Sequence, residues 1–333
     1  MDLMRGRQAL PVPYPETVVT VGFFDGVHRG HQAVLGRTVG AGRDRGVPSV
    51  AVTFDRHPRK VLTPGEAPRL LTTLERKASL IEALGIDALV VLEFDQEFAA
   101  WPPEDFVQRV LAEGLHAGHA VIGANFTFGH KAMGNLATLH ELGPGYGFTV
   151  EGVTLLTLGG RRISSSSIRE ALAAGDLAWP REALGRRFLL DGVVTKGAGR
   201  GAGLGYPTAN LEVEPQMLLP AEGVYAGRAF VGASAQVRGS AQNESHSVQS
   251  PARTPDTPAP GYPAAINVGT NPTFGGEPLH VEAFLLDFDQ DVRGRPMALE
   301  FWERLRDEER FDSPEALSRQ IGEDVRRTRQ AVG

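Results

Sequence analysis

Short apolar runs at residues 18–23, 49–54, 88–94, 119–123 and 150–158 alternate with segments of helical spacing such as "TTLERKASLIEALG" and "PPEDFVQRVLAEG". Unbroken apolarity over so few residues reads as strands buried on both faces. Strand–helix alternation with short connections leaves few solutions, and the simplest is a parallel α/β sheet covered by helices. Ligands of such sheets lie beyond the carboxyl ends of the strands. Three polar segments rich in Gly or His follow strands here, "FDGVHRGH", "DRHPRK" and "ANFTFGHKAMGN", so they are expected to line one site.

The pattern changes near residues 184–187. Beyond it, "FLLDGVVTK", "VYAGRAFVG", "AAINVG", "HVEAFLLDF" and "PMALEFWERL" recur without long helices between them, which predicts an antiparallel sheet or small barrel. "SPEALSRQIGEDVRRTRQAV" then reads as a closing helix with Ser313 as N-cap and Pro314 as first residue. Two domains are expected, 1–185 and 186–333, as suits a chain of 333 residues. The stretch at about 232–262, rich in Ser, Pro, Gln and Ala, has too little apolar surface to order itself and reads as a disordered insertion.

Composition excludes several chemistries. There is no cysteine, which removes disulfides, thiolate catalysis and Cys-based metal sites. A net charge of −6 argues against a broad nucleic-acid surface but leaves small anionic ligands open. "MDLMRGRQALPVPYPE" has no apolar core of a secretory signal, and no apolar run approaches the roughly 20 residues of a membrane span. A cytoplasmic protein, monomeric or weakly self-associating and with no membrane partner, is expected.

"GFFDGVHRGH" (residues 22–31) follows the first strand. His28 and His31 can be read as metal ligands, as packing or capping residues, or as phosphate handlers. The metal reading lacks a third ligand at suitable spacing. The phosphate reading has a strand end, a glycine-opened turn and a helix N-terminus, which together favour an anion. "ISSSSIREALAAG" (residues 163–175) offers a second such signal, with hydroxyls opening a helix and Arg169 one turn in.

These two motifs resemble the HxGH nucleotidylyltransferase superfamily. With "TFDRHP" (residues 53–58) and "GANFTFGHKAMGN" (residues 123–135) between them, the first half is similar to the FMN adenylyltransferase module of bacterial bifunctional riboflavin kinase/FAD synthetases. The resemblance implies a Rossmann-like parallel sheet and assigns roles. His28, His31, Gly22, Phe24 and Gly30 belong to the ATP-phosphate side, and Ser164, Ser165, Ser166 and Arg169 hold the leaving pyrophosphate. Asn125, Phe126, Phe128, Asp55 and His57 belong to the flavin side. For Asp55 a purely structural cap stands as an equal alternative. FMN already carries its nucleophilic phosphate, so the transfer needs positioning and charge stabilisation rather than a general base.

In the second half, "TKGAGRGAGLGYPTANLEV" (residues 195–213) is neither a Walker A motif nor a GxGxxG fingerprint, and a flexible turn is its plain reading. "PTAN" adds oxygen ligands suited to Mg²⁺ beside it. Glu282 sits in an alternating pattern in which Val281, Ala283 and Leu285 share one face and Glu282, Phe284 and Leu286 the other. It reads as a base for an alcohol or as a member of an ion pair. With "GVYAG", "AINVGTNPTFGG" and "VEAFLLDF", this half resembles the riboflavin kinase module. The resemblance implies a six-stranded antiparallel β-barrel with a C-terminal helix, and Gly197, Gly199 and Gly201 on ATP. It makes Thr208 and Asn210 ligands of Mg²⁺ and ATP phosphate, and Glu282 the base for the ribityl 5′-hydroxyl. Phe284 stands where that family often has His, Arg293 where an aromatic residue is common, and the insertion interrupts the barrel before "AAINVG".

The expected function is riboflavin + ATP → FMN + ADP, then FMN + ATP → FAD + PPi, with Mg²⁺ and with riboflavin, FMN, FAD and ATP as small-molecule partners. The competing readings are a kinase with a weak or redirected adenylyl transfer, a flavin carrier without turnover, and a relative of class I aminoacyl-tRNA synthetases. Intact "HRGH" and "SSSSIR" oppose the first, and "PTAN" with Glu282 opposes the second. The barrel half, the short chain and the negative charge oppose the third.

Overall fold

The computed structural model describes residues 1–196, 203, 205–232, 261–270 and 279–332. Gly197, Gly199 and Gly201 lie outside the described residues, as does the insertion from 233 to 260. Tyr262, at the insertion's far end, already belongs to a strand. The chain forms two compact units, one of Met1–Arg69 with Leu74–Ser164, the other of Leu70–Thr73 with the described residues from Ser165 onward.

The first unit holds β1 (Asp2–Arg5), β2 (Thr17–Val21), β3 (Ser49–Phe54), β4 (Ala88–Leu92), β5 (Ala117–Gly123), β6 (Thr149–Val153), β7 (Thr157–Leu158) and β8 (Arg161–Arg162). Its helices are α1 (Arg29–Arg45), α2 (Arg59–Leu62), α3 (Leu74–Ala83), α4 (Gln96–Ala99), α5 (Pro103–Phe106) and α6 (Leu136–Leu142). Six strands pair in parallel in the order β1-β4-β3-β2-β5-β6. β2, β3 and β4 are buried at every position, as their unbroken apolarity requires. Val39, Ala78 and Ile81 from α1 and α3 pack on Ala51, Leu89 and Val91 of one face. Phe98, Phe106, Val107, Val110 and Leu111 join Val19, Val50, Val52 and Val90 in a second cluster.

Two details depart from the sequence expectation. "DLMR" was not read as a strand, yet it completes the open edge of β4. The apolar run at 150–158 breaks after Val153, because Gly159 and Gly160, both at positive φ, turn the chain into the hairpin β7–β8.

β2 lies between β3 and β5, so the connections run outward in opposite directions from it. The carboxyl ends of β2 and β5 therefore flank the topological switch point, where α/β sheets bind ligands. The segments that follow them are "GFFDGVHRGH" and "ANFTFGHKAMGN", and "DRHPRK" follows the adjacent β3.

The second unit holds α7 (Ser165–Ala173), α8 (Ala178–Leu184), β9 (Leu189–Thr195), β10 (Ala209–Glu212), β11 (Gly223–Val231), β12 (Tyr262–Gly269), β13 (His280–Leu285), β14 (Pro296–Arg306) and α9 (Pro314–Val332). The strands close a barrel in the order β10-β13-β12-β11-β14-β9, every pair antiparallel. α7 packs with this unit, and the Ala221 N–H donates to Leu172 O at 2.9 Å. The change of texture at 184–187 thus marks where strands take over from helices. Ser313 caps α9, its Oγ accepting from the Ala316 N–H at 3.1 Å. Val332 of α9 packs with Val224, Ala226 and Leu305, which is why much of β11 is buried on both faces. Among the described residues no helix is long and apolar enough to cross a membrane.

Candidate active sites

At the end of β2 the backbone turns sharply. Phe24, Gly26 and Val27 all have positive φ, and Phe24 holds φ 52° despite its side chain. Such a conformation costs of order 1 kcal/mol or more in a bulky residue, so packing must enforce it. The Phe24 ring is buried and lies over Gly22, where a Cβ would come within 2.8 Å of it. Its edge meets His31 at 5.4 Å between centroids.

His28 is the N-cap of α1, its Nδ1 accepting from the His31 N–H at 3.3 Å. The two imidazoles stack at 3.6 Å and 18°. Gly30 leaves room for the stack, since a Cβ there would approach the His28 ring to 3.1 Å, with Ile163 O 4.0 Å away. Burial, then the neighbouring His28 and Lys77, push the His31 pKa well below its ordinary value. His31 Nδ1 is buried without a hydrogen-bond partner. A buried lone pair costs less than a buried unpaired N–H, so the neutral tautomer protonated at Nε2 is favoured. Packed and capping, with the His31 ring held neutral by burial, the pair can donate to an anion at the first turn of α1. Among the described residues no group of three His, Asp or Glu is placed to hold a metal.

The flavin-side residues divide. Phe128 is core, buried against Phe106 at 5.1 Å and stacked on the half-buried Phe126 at 5.6 Å. Asn125 is exposed just beyond β5. Asp55 Oδ1 accepts from the Phe94 N–H at 2.9 Å, and Oδ2 pairs with Arg56. His57 lies edge-on to Phe23 at 4.8 Å, its Nδ1 accepting from the Arg59 N–H at 3.1 Å. Ser164 closes the first unit; Ser165, Ser166 and Arg169 open α7, whose Ile168, Ala171 and Leu172 are buried.

On the barrel, the expected alternation of β13 is present, with Val281, Ala283 and Leu285 buried. Leu286 is buried too, because the strand has ended and its N–H donates to Pro263 O at 2.8 Å. Register places Thr195, Asn210, Glu282 and Asn267 side by side across β9, β10, β13 and β12. Thr208 donates from Oγ1 to Glu282 Oε2 at 3.1 Å, and His280 Nε2 lies 3.5 Å from Oε1. Phe284 meets Tyr206 edge-on at 5.4 Å. Hydroxyl, amide and carboxylate oxygens are the donors Mg²⁺ prefers, and a half-buried carboxylate beside them can take a proton from an alcohol.

A family model described as FAD synthetase matches residues 12–167, and one described as riboflavin kinase matches residues 184–332. A bifunctional riboflavin kinase/FMN adenylyltransferase of Pseudomonas fluorescens is 36% identical over 326 residues, covering 98% of this chain and 96% of the relative. The chain belongs to the bifunctional riboflavin kinase/FMN adenylyltransferase family. Members from Escherichia coli strain K12 (33% identical; 100% of this chain, 98% of the relative) and Bacillus subtilis strain 168 (34%; 93% and 90%) agree. A solved structure from Streptococcus pneumoniae, described as a macrolide-efflux protein, is 27% identical with a TM-score of 0.81 and covers 99% of both chains.

Within this family member, three polar residues escaped sequence reasoning. Lys77 of α3 is buried, donating to Thr53 Oγ1 at 3.3 Å. Asp25 is buried in the turn after β2. Glu308 accepts from Asn267 Nδ2 at 3.1 Å and from the Thr270 N–H at 3.2 Å. Only Asp25, inside the quoted motif, had a local signal.

Proposed function

We propose that this family member phosphorylates riboflavin on the barrel and adenylylates the resulting FMN in the parallel-sheet unit. The observation that carries the reading is the row Asn210–Glu282–Asn267 with Thr208 bonded to Glu282, in the same chain as the stacked histidines at the sheet's switch point. In the first reaction Glu282 accepts the proton of the ribityl 5′-hydroxyl as the hydroxyl oxygen attacks the γ-phosphorus of ATP and ADP leaves. Thr208 releases its hydrogen bond and, with Asn210, faces the phosphates. When bound there, Mg²⁺ neutralises phosphate charge, and Thr208 and Asn210 are the residues that would hold it.

In the second reaction the FMN phosphate attacks the α-phosphorus of ATP, and pyrophosphate leaves. His28 and His31 orient the phosphates from the first turn of α1, donating to charge that develops in the transition state. Ser164 faces the leaving pyrophosphate, while Asn125, Phe126 and His57 meet the flavin. No general base is needed, because the nucleophile is already an anion.

Incubation with riboflavin, ATP and Mg²⁺, followed by chromatography of the flavins, tests both steps. FMN should appear first and FAD later. FMN alone indicates a kinase only, and absence of turnover indicates a carrier. Glu282→Gln should abolish FMN formation and spare FMN → FAD; His31→Ala should slow FAD formation by on the order of 10²–10³ and spare the kinase. Loss of both activities in either folded variant would refute the two-site assignment.

A further inference from the structure

A buried lysine that no motif explains lies beneath the first site. Lys77 sits on α3 with 3% exposure, beside Ala78 in a helix whose Ala78 and Ile81 pack into the apolar cluster with Phe24 and Val27, and the buried Asp25 carboxylate acts on its charge. Its ammonium lies 4.0 Å from the centre of the Phe23 ring and donates to Thr53 Oγ1. The same hydroxyl donates to Phe23 O at 3.0 Å, so one cation grips both the ring and the backbone of Phe23. Phe23 supports His57 and Phe24 supports His31. The turn held by Lys77 thus carries both an ATP-side and a flavin-side residue.

Charge acts along the same path. Burial pulls Lys77 down from 10.5 to about 8, while Asp25 opposes that shift. The groups bearing on His31 are His28, stacked from the N-cap, the uncharged Phe24 ring from the turn, and Lys77 from α3. Both titratable neighbours disfavour the imidazolium. Methionine would fill the same volume with no desolvated charge, so packing alone does not account for a lysine at this position.

Resting on the adenylyl-transfer reading above, we propose that Lys77 is a positioning residue for that step, fixing the Phe23–Phe24 turn that sets His57 and His31.

The full chain is assayed for FMN → FAD and, as internal control, for riboflavin → FMN. If the wild type makes no FAD, the adenylyl-transfer reading fails and this inference falls with it. Given wild-type turnover, Lys77→Met should unfold at a temperature no lower than wild type and phosphorylate riboflavin at the same rate. It should make FAD about 10- to 100-fold more slowly, the scale of a small misplacement of reacting groups. In spectra of ¹³C-labelled histidine, with His31 assigned by its loss in His31→Ala, the His31 midpoint should move up in Lys77→Met. It should stay in place in Lys77→Arg, which keeps the charge. Wild-type FAD formation by Lys77→Met overturns the proposal, as does slowed formation with the His31 midpoint unmoved. Should Lys77→Met fail to fold, Lys77→Arg decides the matter, and a shifted His31 midpoint there overturns the proposal.

Discussion

Lys77 raises the free energy of the folded chain for as long as it stays charged. Its drop from 10.5 to about 8 corresponds to roughly 3 kcal/mol of destabilisation at neutral pH. The sign follows from proton binding. Between pH 8 and 10.5 the unfolded chain keeps the proton and the folded chain has released it, so stability from this group rises with pH across that window. Below pH 8 the full penalty applies. Lys77→Met should therefore be more stable than wild type at pH 7, with the difference shrinking towards pH 10.5. Denaturant unfolding of both proteins at several pH values checks this; a gap that widens with pH contradicts it. The residue was illegible in the sequence because a lysine at a helical position normally reads as solvated, and only tertiary packing buries this one. Glu282 was legible, because a carboxylate on a strand face bounded by apolar neighbours has a local pattern of its own. His28 and His31 had their motif, but their stacking and capping depended on the positive φ of Phe24, which no pattern announces.

At the scale of elements, β12 and the segment after β14 form a clamp. Glu308 holds Asn267 and the Thr270 N–H, and it approaches so closely that a Cβ on Gly269 would collide with its carboxylate. Arg306, just before it, is anchored to the buried Asp324 of α9 by bonds of 2.8 and 3.1 Å. The helix thereby fixes the end of β14, Glu308 fixes the end of β12, and Asn267 stands beside Glu282 in register. Hydrogen bonds to a charged group contribute about 1.5–3 kcal/mol. If part of that sets the alignment of Glu282, Glu308→Ala should lower kcat/KM for riboflavin phosphorylation about tenfold, equivalent to ~1.4 kcal/mol. Gly269→Ala should do likewise by expelling the carboxylate, and the double variant should fall no further than either single one. Steady-state kinetics of the three variants settles the point, and additive losses would argue against a shared clamp. The strands and helices themselves were largely legible from period and turn residues. β1 and β10 were not, because four residues carry too little periodicity to stand out, and both exist because a neighbouring strand offers them an edge.

For the whole molecule, the change of texture along the chain was the most legible feature of all, since parallel and antiparallel sheets demand different burial patterns from their strands. The expected boundary at 185/186 follows that change and counts α7 and α8 with the first half, whereas packing groups them with the second unit. The two reactions share one compound, FMN, as product of the first and substrate of the second. If each site is complete without the other's chemistry, FMN released by one chain can serve another. Glu282→Gln cannot form FMN and His31→Ala adenylylates it on the order of 10²–10³ more slowly, so equal amounts of the two should together make FAD from riboflavin far faster than either alone. The second variant supplies FMN and the first adenylylates it. FAD should appear after a lag that shortens as total protein rises, because the intermediate must cross the solution. Time courses at several protein concentrations measure that lag. A mixture that accumulates FMN without FAD would mean that Glu282 also serves the parallel-sheet site. A lag independent of concentration would mean that FMN does not pass through bulk solution.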